Sequence, residues 1–273
     1  MKSRGWIRLA AAAIVALLFA MPVLWMIATS FKPPAEFVSE SIALLPVAPT
    51  TEHYRAIASA HVAANFAASL VVAAGTVALA LAAGFPAAYA LARARLPARL
   101  DAGFLAFVLL LKLTPPIVLA VPLFQVLRTL GLIDTLAGLV LTYQAYTLPM
   151  AIWLLLGFVR EVPTAYEETA EIDGAALPRR LWSIVLPIMR PGLLATTALL
   201  FVVAWNEFLF ALLFIQTPSL FPLPLFIATR ITEEENLWGQ LMAVGVLAAL
   251  PAMLCLGALL RHFGRAPEAG LTG

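Results

Sequence analysis

The side chains in this sequence that could do chemistry are few and clustered. The densest group lies in 167-EETAEIDGAALPRRLWSIVLPIMRPGL-193, where Glu167, Glu168, Glu171 and Asp173 precede Gly174, and Arg179, Arg180 and Arg190 follow. Smaller polar groups sit inside apolar runs: Tyr143, Gln144 and Tyr146 in one, Asn206 and Glu207 in another, Lys112 in a third. None of these is arranged for bond-making. His53, His61 and His262 lack metal-ligand spacing, and Cys255 stands alone in an apolar run with no CxxC pair. Neither a GxxxxGK[ST] loop nor a GxSxG elbow occurs. Such groups can instead meet a partner, bend a chain or line a polar path.

The rest of the chain says where they must sit. Its 273 residues are 63% hydrophobic and only 12% charged, with a mean hydropathy of +0.97. Soluble domains are about 25% charged, so this chain lacks the polar surface to coat a water-facing globule. Its apolar runs are continuous rather than alternating, which excludes an outer-membrane barrel. They predict an all-α, polytopic membrane protein with six transmembrane helices in a single domain, residues 1–273. The net charge of +2 says little about nucleic acid, but no basic cluster is interleaved with aromatics, and the expected surroundings are membrane lipid and not nucleic acid.

The six spans are expected near Leu9–Ile27, Ala63–Leu91, Gly103–Leu127, Leu136–Phe158, Pro191–Ile215 and Leu241–Leu260. Lys2, Arg4 and Arg8 ahead of the first run mimic a secretory signal. The run is longer than the roughly 7–15 apolar residues of a signal core, so an uncleaved span is expected. Gly84–Phe85–Pro86 should kink or end the second span. Of the 17 Lys and Arg residues, Lys32, Arg55, Arg128 and Arg230 flank one side and Lys112 lies within a span, while all the others flank the opposite side. Positive charge favours the cytoplasm, which puts both termini and the segment 159–190 inside. The outer loops are 31–62, expected to be an irregular strap rich in proline, and 216–240.

Within the charged segment, Pro163 suits a first helical turn. A helix from there to Asp173 aligns Ala165, Thr169, Ile172 and Ala176 on one stripe. Glu167, Glu168 and Glu171 then fall on the other, facing solvent or a basic partner. Their like charges repel by a few tenths of a kcal/mol per pair, roughly, partly offset by the helix dipole. Gly174 is placed to end the helix in the left-handed conformation. Pro178 can start a second short helix with Leu177, Leu181, Ile184 and Val185 on one face, ended by Pro187 and Pro191. A bent, polar helix–turn–helix joined to a transmembrane helix has the shape of a lever.

The spacing Glu168-Thr169-Ala170, three residues, Gly174, nine residues, Ile184-Val185-Leu186-Pro187 resembles the EAA loop of ABC importer permeases, and PTAYEETAEIDGAA is similar to its form in the maltose-type, carbohydrate-uptake subfamily. TSFKPPAEF, PPIVLAVPLFQVLRTLGLIDTLAGLVL and AWNEFLFALLF extend the resemblance over nearly the whole chain. Thr169 departs from it, since the motif usually has alanine there. The resemblance implies the MetI-like type I permease fold. It also implies a coupling helix (Glu168, Thr169, Ala170, Asp173, Gly174, Ile184, Leu186, Pro187) that docks in a cleft of a separate ATP-binding subunit. The implied partners are a second, homologous permease, two ATP-binding subunits that carry the ATP and Mg, and an extracytoplasmic solute-binding protein. The site is the inner membrane of a prokaryote, and the cargo a sugar, oligosaccharide, polyol or glycerol phosphate. This chain would itself hold no cofactor, bind no metal and catalyse no bond chemistry.

The polar groups inside the spans are candidates for a substrate path. By the helical rise, Tyr143, Gln144 and Tyr146 lie about 10–15 Å below the outer surface and Asn206 and Glu207 about 12–14 Å below it. Trp205 and Phe208 beside them could stack on sugar rings. The alternative is helix–helix hydrogen bonding that merely holds the bundle. Lys112 either snorkels inward or pairs with an acid such as Glu207. Without the resemblance, the composition also fits a self-sufficient secondary transporter or channel. That class calls for more ionisable groups at mid-membrane than Lys112 and Glu207.

Overall fold

The computed structural model describes residues 2–37, 44–59, 62–93, 98–229 and 238–263. Long apolar runs have one way to satisfy their backbone in lipid, internal i→i−4 bonding, and the architecture follows from it. The first run is α1 (Lys2–Ser30). The strap after it is more regular than expected and carries α2 (Pro34–Phe37) and α3 (Glu52–Ser59). It folds back on its own origin: Glu36 Oε1 accepts from Val47 and Ala48 N–H at 2.9 and 3.2 Å, and buried His53 places Nε2 2.7 Å from the Lys32 carbonyl.

The second span, α4 (Val62–Arg93), runs unbroken through Gly84, Phe85 and Pro86, so that triplet does not end it. Gly84 instead permits close approach to the fourth span, since a Cβ there would lie 3.1 Å from the Ala151 Cβ. The third expected span is two helices, α5 (Ala98–Leu113) and α6 (Pro116–Thr129). Pro115 and Pro116 lack N–H groups and restrict the residue before them, so the ladder stops at Thr114–Pro115. The fourth span, α7 (Leu136–Glu161), is continuous and is capped by Thr135, whose hydroxyl accepts from Gly138 N–H at 3.0 Å.

The charged segment forms α8 (Ala165–Ile172), α9 (Leu177–Arg180), a π-helical turn over Leu181–Val185 and α10 (Leu186–Ile188). Contrary to the expectation for Pro187, the second arm continues through it. The Leu186 N–H reaches back to the Leu181 carbonyl, an i→i−5 bond immediately ahead of a residue with no N–H to offer. The break falls at Met189, and α11 (Arg190–Trp205) leaves at 80° to the Leu177–Ile188 arm. The fifth span is interrupted too: α11 ends at Trp205 and α12 (Leu209–Phe214) starts after Asn206–Phe208. A 3-10 turn (Pro218–Leu220) and α13 (Leu223–Ala228) lead towards α14 (Trp238–Phe263), the last span.

Among the described residues, four helices are long and apolar enough to cross a membrane unbroken: α1, α4, α7 and α14. The other two expected crossings are the interrupted ones. The most extensive packing joins α4 to α7, with α11 against both and α14 against α11 and α1. One core cluster around Tyr143, Trp205, Phe210 and Leu223 fills one end of the bundle. A second, around Phe85, Leu155, Val159 and Val185, fills the other, beside the charged segment. Along α1 only Thr29 and Ser30 are buried among the described side chains, and its apolar residues face outward.

Candidate functional site

At the charged end, Asp173 is the last residue before a Schellman turn. Gly174 N–H bonds the Glu171 carbonyl at 3.0 Å and Ala175 N–H the Ala170 carbonyl at 2.9 Å. Gly174 has φ +78°, and no atom lies within 4 Å of where its Cβ would be, so the requirement for glycine is conformational and not steric. Across the turn Arg180 Nη1 meets Glu171 Oε2 at 2.5 Å. Glu168, Thr169, Asp173, Gly174 and Pro187 are exposed, and Ala170, Ile184 and Leu186 are half-buried. Leu181 and Val185 are buried against α4 and α7, which roots the second arm in the bundle. Thr169 Oγ1 donates to the Ala165 carbonyl at 2.8 Å, so the hydroxyl that sets it apart from alanine is satisfied within its own helix.

The faces of α8 are not those expected. Ile172 is 87% exposed and Tyr166 56%, whereas Glu167 is 5% exposed and is the one buried residue of the helix. Glu167 therefore faces neither solvent nor a partner. Arg93 donates to its Oε1 from Nε at 2.7 Å, with Nη2 of the ion pair 2.6 Å from the same oxygen, and the Tyr89 hydroxyl donates to Oε2. The same Arg93 Nη2 donates to the Val162 carbonyl at 2.9 Å, just past the end of α7. A buried carboxylate is tolerable only with such partners. Arg93, two residues beyond the expected end of its span, and Tyr89, inside that span, were not legible as members of this group.

The second candidate site lies where the two interrupted spans meet. A cavity of about 380 Å³ is lined by Leu111, Thr114, Pro116, Leu119, Tyr146, Met150, Val203 and Glu207. Non-helical backbone at membrane depth is tolerated where it borders protein or a water-filled cavity, and both breaks do so here. Glu207 caps α12, its carboxylate accepting from Phe210 N–H at 3.0 Å and Ala211 N–H at 3.4 Å. Tyr146 stacks between Tyr143 and Phe210, with centroids 6.2 and 6.1 Å away. The hydroxyls of Tyr146 and Thr76 and the Gln144 Oε1 are buried with no hydrogen-bond partner among the described residues, while the Tyr143 hydroxyl is directed at Glu207.

Of the seven residues singled out for a path, Tyr146 and Glu207 line this cavity, and Tyr143 adjoins them. Gln144 turns to α4, donating to the Thr76 carbonyl at 3.2 Å. Asn206 donates to its own helix at the Val202 carbonyl, 2.8 Å away. Trp205 is buried against Phe66 and Phe201, with Nε1 3.0 Å from the Ala248 carbonyl, so in this conformation its ring serves packing. Phe208 is 37% exposed. Lys112 lies on α5, but its side chain is outside the described residues.

A helical membrane bundle with a rooted polar lever and a cavity at two broken spans has the form of a membrane-embedded transport component. Residues 80–268 match the family described as binding-protein-dependent transport system inner membrane component, and the chain belongs to that family. It is 31% identical over 252 residues to a diacetylchitobiose uptake system permease protein of Streptomyces coelicolor, covering 92% of this chain and 89% of that protein. It is 33% identical over 256 residues to a trehalose transport system permease protein of Mycobacterium tuberculosis, covering 92% and 90%. A chain of a solved bacterial ABC transporter involved in the import of the acidic polysaccharide alginate has the same fold. It superposes with a TM-score of 0.79 at 22% identity, over 96% of this chain and 97% of that one. The protein is thus a multi-pass permease subunit of an ABC importer.

Proposed function

We propose that this permease translocates a sugar, oligosaccharide or related polyol and is driven through α8 by ATP-binding subunits. Relatives named for diacetylchitobiose and trehalose uptake support the cargo class. The observation that carries the drive is the geometry of α8: an eight-residue helix with its apolar Ile172 and Tyr166 outward, joined by a glycine turn to an arm that meets α11 at 80°. An exposed apolar face on a charged helix calls for a protein partner, since acids beside it disfavour an anionic lipid surface. Nucleotide-driven closure of two such subunits, holding ATP and Mg, would pull α8 together with Glu168, Thr169, Ala170, Asp173 and Gly174. The rooted arm bearing Ile184, Leu186 and Pro187 then turns α11 and changes which side of the membrane the bundle opens to. A second, homologous permease completes the pathway, and a solute-binding protein delivers the cargo at the outer face.

In this scheme Tyr146 and Glu207, with Tyr143 beside them, border the path. Phe208 stands at its edge, and Gln144, Asn206 and Trp205 hold its walls. The positive-charge bias supports a cytoplasmic position for both termini and α8. A single cysteine at Ile172, in a background with Cys255→Ser, tests the docking. Oxidative cross-linking to a cysteine in the cleft of the ATP-binding subunit is expected in the assembled complex. No cross-link in an active complex would remove α8 as the docking element.

A further inference from the structure

We propose that Glu167, Arg93 and Tyr89 form the joint through which movement of α8 reaches the transmembrane bundle. The inference rests on α8 being the docking helix. Glu167 is the one buried residue of that helix, so apart from chain connectivity the buried hold of α8 on the spans is a carboxylate. Both of its oxygens are engaged by α4: Oε1 by Arg93 at 2.6 and 2.7 Å, Oε2 by Tyr89. Arg93 also grips the Val162 carbonyl at 2.9 Å, which ties the same cation to the end of α7. One guanidinium thus joins α8, α4 and α7, the last two being the most closely packed pair of spans.

The surroundings favour a directional joint over general packing. A cleft of about 450 Å³, bordered by Tyr89, Arg93, Glu167, Glu168, Glu171 and Arg180, opens beside the joint, so charged side chains and not apolar packing fill this side of α8. The other ion pair of the segment, Arg180 to Glu171, ties the two arms of the loop together and borders the same cleft, with the Arg180 charge felt at Tyr89. Apolar contacts slide at little cost, whereas a buried carboxylate with a guanidinium on one oxygen and a hydroxyl on the other holds a defined geometry through charge-assisted hydrogen bonds. A push or pull on α8 is therefore transmitted to α4 and α7 at this joint, beside the route through the rooted arm to α11. Arg93, Glu167 and Tyr89 are positioning residues, since none faces the cavity at the broken spans.

The test uses the complete assembly in proteoliposomes, with solute uptake and ATP hydrolysis measured in the same vesicles. Glu167→Gln keeps the shape of the side chain and removes the charge. It is expected to lower solute imported per ATP hydrolysed by about fivefold or more, the lower end of the range of allosteric coupling, with the subunits still co-purifying. Tyr89→Phe should lower the same ratio by about two- to tenfold, the equivalent of one hydrogen bond. A brace that only stabilises the fold would reduce the amount of complex and leave the ratio unchanged. An unchanged ratio in Glu167→Gln overturns the proposal. If that variant does not assemble, an unchanged ratio in Tyr89→Phe overturns it. A wild-type assembly that imports nothing with ATP would instead defeat the docking reading on which the joint rests.

Discussion

Thr217 Oγ1 lies 2.6 Å from Asp134 Oδ2, tying the turn before α7 to the segment after α12 at the end of the bundle opposite α8. Asp134 also accepts from Gln216 and Thr217 N–H at 2.8 and 3.0 Å, and its own N–H meets the Phe214 carbonyl at 2.9 Å. Its φ of +59° is one that aspartate and asparagine adopt more readily than other side-chain-bearing residues. The Thr217 hydroxyl, with the backbone N–H groups of Thr217 and Gln216, holds its carboxyl below the ordinary aspartate value. A depressed folded-state value means the tie is fully present above the ordinary range, near about pH 3.9, and is lost as pH falls below it. Amide protection at Gln216 and Thr217 should therefore drop in that acid window. In Asp134→Asn, where the amide nitrogen cannot accept from Thr217, protection should be lower throughout and show no such step. A step of the same size in the variant would assign it to another group.

Gly174→Ala should cost about 1–2 kcal/mol, the penalty of a left-handed residue with a side chain, because no neighbour clashes with the new methyl group. Thermal unfolding of the isolated subunit reads this cost. In the assembly, uptake should fall further than the stability loss accounts for, since the turn sets the angle at which α8 meets its partner. Equal losses would make Gly174 a folding residue only.

Thr169→Ala restores the residue common in the motif and should change stability by no more than about 0.5 kcal/mol, because the hydroxyl bonds only to the Ala165 carbonyl of its own helix. Co-purification with the ATP-binding subunit should also be unaffected. Weaker association would show that the hydroxyl contributes to docking.

Asn65, 1% exposed, donates from Nδ2 to the Pro218 and Phe221 carbonyls, both at 2.8 Å. Ser69 nearby accepts from Leu223 N–H at 2.7 Å. Asn65→Ala leaves two carbonyls without their donor and should cost about 1–3 kcal/mol, measured by denaturation in detergent. Transport per folded molecule should be preserved, since neither residue lines the cavity at the broken spans.

What the sequence made legible divides along physical lines. The turn at Gly174 and the start at Pro178 were readable because glycine and proline act through their own backbones. The four unbroken spans were readable because length and apolarity suffice in lipid. The faces of α8 were not: Glu167 is grouped by the pattern with Glu168 and Glu171 on a face towards solvent or a basic partner, but the ion pair with Arg93 buries it and leaves Ile172 outward. A partner 74 positions away leaves no mark in the local pattern. The break at Thr114–Pro115 follows from two prolines, whereas Asn206–Phe208 looks like a continuous run with polar insertions. There the carboxylate of Glu207 supplies the acceptor that the helix start needs. The strap's helices were obscured by its prolines, and α3 shows how a short amphipathic stretch can fold against α14.

The central claim is that this subunit moves a carbohydrate only when driven by nucleotide on partner subunits. Its most direct test is uptake of a labelled saccharide into proteoliposomes holding the complete assembly, with the binding protein outside and ATP supplied to the cytoplasmic face. The account predicts uptake that requires ATP hydrolysis, the binding protein and both permeases, and that an ion gradient cannot replace. Uptake by this chain alone under an ion gradient, with no response to ATP, would contradict it.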